Sequence, residues 1–203
     1  MNYYSQFGED RILEEYFGKD YKGGCIDVGA SNGVSINNTK HFEENGWHCL
    51  CIEPVPTFYD QLKINRSNTL NYAVSPIDGK LDFTIVYLNG EPGEACSSLI
   101  VDETLIQNFK NMGFVVTLEK ITVESRTLDY CVENFYKHNK IDFISIDTEG
   151  TELDVLKSFS IEKWNPTLFV IENNFNDPDI EIYLNLFGYK KIRRLEVNDF
   201  YIK

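Results

Sequence analysis

Gly24-Cys25-Ile26-Asp27-Val28-Gly29-Ala30-Ser31-Asn32-Gly33 is the stretch on which the reading of this chain turns. An apolar run that ends in a carboxylate and passes into a glycine turn is the pattern of a buried strand handing the chain to a ligand loop. Glycine belongs at such a turn because the backbone bends sharply and comes close to a bound nucleoside, where a β-carbon would intrude. The GxGxxG spacing that cradles a pyrophosphate on a helix N-terminus is absent. Asp27 brings negative charge to the loop instead, which disfavours a dinucleotide and suits a ligand with a cationic amino group, as S-adenosylmethionine has.

Outward from this stretch, apolar runs alternate with helix-like segments, the pattern of an α/β fold with a mostly parallel sheet covered on both faces. Residues 47–52 predict a second strand, and 34–45 a helix between the two, closed by Gly46. A helix over 56–66 has Pro56 in its first turn, and 70–74 predict a third strand. Thr127 caps a helix to about 138; 141–146 and 167–171 predict a fourth and a fifth buried strand, with 149–159 helical between them. Residues 189–195 and 199–202 read as a terminal hairpin. Segments 81–87 and 114–123 alternate like strands and flank a polar, glycine-containing stretch, 88–103, expected to form a wall over the acceptor, with Ser98 touching it. Residues 3–17 predict an amphipathic helix entered at Gly8. It is expected to cover a sheet edge, the alternative being that Gln6 and Asp10 face the site.

With 203 residues and 14% aromatics, the chain is expected to be one domain, 1–203, with a packed core. A net charge of −13 sets an electrostatic penalty against nucleic acid. No apolar run reaches the length of a membrane span, and the first residues lack a secretory signal. Five cysteines without CxxC pairs argue against a disulfide framework or a zinc clasp, so a reducing, cytoplasmic setting is expected.

The chemistry is expected where the strands end. Glu53-Pro54 closes the second strand, and an acidic residue there accepts the two hydroxyls of a ribose. Asp147, at the end of the fourth strand, and Glu149 just beyond it are candidates for catalysis, and so is Glu172 at the end of the fifth. Asp147, Glu172 and Asn173 also form an oxygen donor set of the kind Mg²⁺ takes; a base or hydrogen-bonding role, with Asn173 toward the substrate, is the alternative and the preferred one.

These motifs together resemble the FkbM-type S-adenosylmethionine-dependent methyltransferases. The matching residues run from Ser5-Gln6-Phe7-Gly8-Glu9-Asp10 through Asp27 to Gly33, Asn38-Thr39, Gly46-Trp47, Ile52-Glu53-Pro54 and Asn65-Arg66 to Thr127-Leu128-Asp129, Asp142 to Glu152, and Glu172. The resemblance implies a class I methyltransferase fold, a sheet of about seven strands with an antiparallel strand near the C-terminus. It implies O-methylation of a sugar, glycan or other small hydroxylated acceptor. It also implies that Asp27, Gly29 and Gly33 hold the methionine part of the cofactor and Glu53 its ribose, with Ala73 and Val74 beside the adenine. Ser31, Asn38, Thr39 and Pro54 complete the expected cofactor set. Ser31, where many relatives have Asn, and Asn37, where Ser is common, depart from the pattern. Two rival readings are a nucleoside-binding oxidoreductase and a cofactor-binding module without turnover. The acceptor's identity and the oligomeric state are not written in the sequence.

Overall fold

The computed structural model describes residues 2–93, 99 and 103–203. In chain order its elements are α1 (Glu9–Phe17), β1 (Gly24–Val28), α2 (Lys40–Glu44), β2 (His48–Ile52), α3 (Pro56–Asn65), β3 (Thr69–Leu70), β4 (Ala73–Val74), β5 (Gly79–Leu88), β6 (Glu91–Pro92), α4 (Glu103–Asn111), β7 (Val116–Arg126), α5 (Leu128–Phe135), β8 (Phe143–Ile146), α6 (Glu152–Lys157), α7 (Ile161–Trp164), β9 (Leu168–Glu172), α8 (Pro178–Leu186), β10 (Lys190–Leu195) and β11 (Asn198–Ile202).

Seven strands form the main sheet in the order β10-β11-β9-β8-β1-β2-β3. β1 runs parallel to both β2 and β8, and β8 to β9, while β11 is antiparallel to its neighbours β9 and β10. This is the mostly parallel sheet with an antiparallel C-terminal strand that the sequence led us to expect. Alternate residues of each strand feed opposite cores. Ile26, Val28, Ile144, Ile146 and Ile171 pack under α5, α6 and α8 on one face. Cys25, Cys49, Cys51, Phe143 and Val170 pack with Leu13 of α1, Phe42 of α2 and Leu62 of α3 on the other. Each fully buried aliphatic side chain contributes about 1.5–3 kcal/mol, so the two cores fix the height at which the strands end.

The structure corrects four local expectations. The helix over 34–45 shrinks to α2, because Asn32 Oδ1 takes the N–H groups of Val34 and Ser35, and Asn37 Oδ1 those of Thr39 and Lys40. Side-chain acceptors here outcompete the helix for its own donors. The helix expected from 149 starts at Glu152, since Glu149 has φ +55°. Strand 70–74 is two strands. Leu70 pairs with Ile52 in the main sheet, Asn71 Nδ2 donates to the carbonyls of Glu53 and Pro54, and Ala73 opens β4 beside β7. Finally, 88–103 holds β6, with Pro92 opposite Tyr87, and the proposed acceptor contact Ser98 lies outside the described residues.

β4, β7, β5 and β6 make a second, four-stranded sheet that the sequence did not reveal. Its backbone is the antiparallel β5–β7 pair, from Gly79 opposite Ser125 to Leu88 opposite Val116. Val55, Phe58, Ala73, Phe83, Ile85 and Val123 form a small core of their own between this sheet and α3. α4 and α8 were not expected either, although Asp177, whose side chain accepts from Asp179 N, and Pro178 mark the start of α8 in the usual way.

Candidate active site

The carboxyl ends of β1, β2, β8 and β9 surround a cleft of about 910 Å³, counted with its open mouth. The loop after β1 is its floor. Gly29 and Ala30 both donate to the carbonyl of Ile52, at 3.0 Å each. Gly29 has φ +85°, and a β-carbon there would run into the backbone carbonyl of Asp147, so no other residue lets these two loops meet. Ser31 follows at φ +47°, and its hydroxyl is buried with no hydrogen-bond partner among the described residues.

Glu53 is pinned at the second strand end. Its two oxygens accept from Ser31 N at 2.9 Å and Val55 N at 2.8 Å, and the residue is 5% exposed. Burial lifts its carboxyl to about 7, against the pull of the two N–H groups. Beside it Ala73, Val74, Phe58, Tyr72 and Phe83 line an apolar wall. The first two were expected from the sequence. Phe58, Tyr72 and Phe83 were not: Tyr72 is adjacent to the expected pair, but Phe83 reaches the cleft only through the second sheet.

Across the cleft, Asp147, Glu149 and Glu172 bring one carboxylate oxygen each to within 4.8 Å of one another. Asp147 and Glu172 share a hydrogen bond. Burial first, and then the neighbouring negative charges, push both carboxyls upward, Glu172 to about 8 and Asp147 well above the ordinary aspartate range. The second oxygen of Glu172 is buried without a hydrogen-bond partner among the described residues.

Other expected site residues lie elsewhere. Asp27 does not line the cleft. It points to the opposite face of β1, where Asn37 Nδ2 (2.8 Å) and Thr39 Oγ1 (2.7 Å) donate to it and the buried Arg66 stands 3.9 Å away. Arg66 also bonds Thr39, Asn37, the carbonyl of Gly33 and Glu43. Thr39 and Gly33 thus belong to a buried ionic knot behind the loop, Gly33 pressed against Arg66 and Leu62. Asn38 bonds Ser145 beneath the floor. Asn173 is spent on Asp177 and Asp199, so the expected donor set Asp147, Glu172 and Asn173 does not converge; the carboxylates that do come together are Asp147, Glu149 and Glu172. Of the two N-terminal residues left open, Gln6 lines the cleft, whereas Asp10 is fully buried and accepts from Tyr4 N, Ser5 N and Ser5 Oγ.

No helix among the described residues is long and apolar enough to cross a membrane. Among curated proteins none matches the chain. The crystal structure of a methyltransferase FkbM from Methylobacillus flagellatus aligns with a TM-score of 0.53 at 13% identity, covering 91% of this chain and 44% of that one. The chain thus spans less than half the length of that protein. An O-methyltransferase from Bacillus cereus in complex with SAH aligns at 13% identity over 96% of this chain and 78% of its own, with a TM-score of 0.43. The N-terminal domain of human METTL16 in complex with SAH gives 12% identity, 96% and 65% coverage, and a TM-score of 0.41. A family profile described as the methyltransferase FkbM domain matches residues 27–194, from the end of β1 to β10, and the chain belongs to that family.

Proposed function

We propose that this protein is an S-adenosylmethionine-dependent O-methyltransferase acting on a hydroxyl of a sugar, glycan or similar small acceptor. The observation that carries the reading is the opposition, across one cleft, of a pinned carboxylate beside an apolar wall and a proton-sharing pair of carboxyls. The cleft fits the cofactor: Gly29 lets the loop after β1 lie directly against the backbone of Asp147, and Ser31 Oγ is a buried polar atom with no partner among the described residues. Glu53 takes the ribose hydroxyls, and Ala73, Val74, Phe58 and Phe83 take the base. Bound S-adenosylmethionine supplies an electrophilic methyl group.

The protein's own part is to position the acceptor and receive its proton. Asp147 and Glu172 titrate as a pair whose affinity for a proton lies near or above neutrality, which is what a general base working near pH 7 needs. Glu149 adds charge that keeps the pair basic. The described cysteines are free, buried thiols, in keeping with a cytoplasmic enzyme.

The test has two arms. Calorimetry with S-adenosylmethionine and S-adenosylhomocysteine should show micromolar or tighter binding. A tritiated-methyl assay over monosaccharides, nucleotide sugars and oligosaccharides should then yield an alkali-stable methyl ether. Absence of binding at millimolar ligand defeats the whole reading, and label appearing on nitrogen or a carboxylate defeats the O-methyl assignment alone.

A further inference from the structure

Among the described residues, four carboxylates line the cleft (Glu53, Asp147, Glu149 and Glu172) and no lysine, arginine or histidine does. A ligand that ends in an amino acid therefore finds ready partners for its ammonium group and no cation for its carboxylate. That carboxylate must be met by neutral donors or lie opposite like charge.

One neutral donor is presented with unusual care. The segment carrying Gln6 is held by two fully buried carboxylates, Glu9 and Asp10. Asp10 accepts from Tyr4 N at 2.6 Å, Ser5 N at 3.1 Å and Ser5 Oγ at 2.6 Å. Glu9 accepts from Phe7 N at 2.9 Å, and Ser5 Oγ accepts from Gly8 N at 3.1 Å. The N–H groups on both sides of Gln6 are thus fixed, while its side chain makes no hydrogen bond with the described residues and lines the cleft. Tyr4 O accepts from Asn37 N, which joins this segment to the loop after β1. Glu9 also accepts from Asn198, the register partner of Glu172. Gln6 therefore belongs to the stretch between the β1 loop and the β9 end, on the far side of β1 from Glu53. The β1 loop contributes the second donor, the buried Ser31 hydroxyl, which has no partner among the described residues and sits in a backbone conformation that few residues other than glycine adopt.

We infer that the Gln6 amide, together with the Ser31 hydroxyl, receives the α-carboxylate of the amino-acid end of S-adenosylmethionine and holds it apart from the four acids. The inference rests on the cofactor reading above. Gln6 is then a binding residue for the cofactor, and the buried Glu9 and Asp10 are positioning residues that act through it.

Calorimetry on the whole chain with S-adenosylmethionine and with its decarboxylated form, which keeps the ammonium group and loses only the carboxylate, separates the possibilities. Gln6→Ala should weaken S-adenosylmethionine about tenfold and leave the decarboxylated form within about twofold. Gln6→Glu should weaken S-adenosylmethionine further, and Ser31→Ala should act in the same sense as Gln6→Ala. The melting midpoint of ligand-free Gln6→Ala should match wild type, because the side chain it loses makes no hydrogen bond to the described residues. Unchanged affinity of Gln6→Ala for S-adenosylmethionine overturns the inference and leaves the cofactor reading standing. Equal weakening of both ligands also overturns it, assigning Gln6 to the nucleoside end or to the fold. Wild-type protein that binds neither ligand removes the cofactor reading itself.

Discussion

Gly29 and Asp147 meet backbone to backbone: the space a β-carbon would need at position 29 is filled by the carbonyl oxygen of Asp147. The floor of the cleft and the carrier of its acid pair are thereby one packed unit, so disturbing either moves both. Gly29→Ala must resolve the collision and also strain a residue at φ +85°. We expect a loss of roughly 2–4 kcal/mol in stability and of measurable cofactor binding, read by thermal melting and calorimetry. A variant that melts like wild type would show that the two loops are not rigidly joined.

Cofactor affinity should depend on pH through Glu53. Ribose hydroxyls donate to the ionised carboxylate, whose free-state value is about 7. Affinity for S-adenosylhomocysteine should therefore climb as pH rises toward that value, by at most about tenfold per unit, and level off above it. Glu53→Gln should flatten this slope and weaken binding about tenfold or more. A titration series of calorimetric measurements decides it, and a slope that survives in the variant points to another group.

Replacing the proton-sharing pair separates activity from stability. Glu172→Gln and Asp147→Asn should each lower turnover about 10²–10⁴-fold, with cofactor affinity much less affected. Stability should move the other way. Glu172 keeps its proton up to about 8 in the folded chain but to only 4.5 as an ordinary glutamate. Its contribution is therefore intact below about 4.5 and is lost as pH rises from there to about 8. Glu172→Gln should raise the melting temperature at pH 8, and the gain should vanish on acidification. A gain that is constant with pH would mean the group does not titrate in this window.

Chelation should leave turnover intact. Asn173, the expected third donor, is committed to Asp177 and Asp199. Activity lost in EDTA and restored by Mg²⁺ or Mn²⁺ would refute the metal-free route.

Asp27→Asn tests the buried knot. The exchange takes a carboxylate from beside Arg66 and leaves Glu43 as its anionic partner, with Arg66 Nε to Glu43 Oε2 at 2.5 Å. Loss of one partner of a buried charge costs about 3–5 kcal/mol when nothing else neutralises it, so we expect something smaller but clearly measurable by denaturant unfolding. Cofactor affinity should stay close to wild type. A large drop in affinity with unchanged stability would restore Asp27 to a direct role.

The central strands were legible because a strand buried on both faces reads as an unbroken apolar run. β9 does up to Ile171, and β1, β2 and β8 nearly do, each carrying one polar residue, Asp27, His48 and Ser145. Glu53 and the acids after β8 and β9 were legible for the same reason, since they stand where those runs stop. Asp27 was misplaced because the alternation of a strand, not its proximity to a glycine loop, decides which face a side chain serves: Asp27 shares its face with Cys25 and so turns to Arg66. The short helix α2 was overestimated because Asn32 and Asn37 read as ordinary loop-tolerant residues until their contacts are seen. Phe83 carried no local signal at all. Its place at the cleft depends on β5 and β7 pairing, with Phe83 opposite Ile121, which periodicity within either strand does not encode.

The bond from Asn198 to Glu9 joins positions 189 apart in the chain, and it has a consequence for the order in which the molecule is made. On a ribosome, α1 emerges before the sheet, but the anchor that sets the Gln6 segment beside the end of β9 arrives only with β11. Until then β9 also lacks its antiparallel neighbour, and the acid at its end has an open side. Contacts of such separation close late because the intervening chain must first be collected. The cleft is thus completed only after β11 has been made, so chains that stop short of it carry a glycine loop and a sheet without the finished cleft.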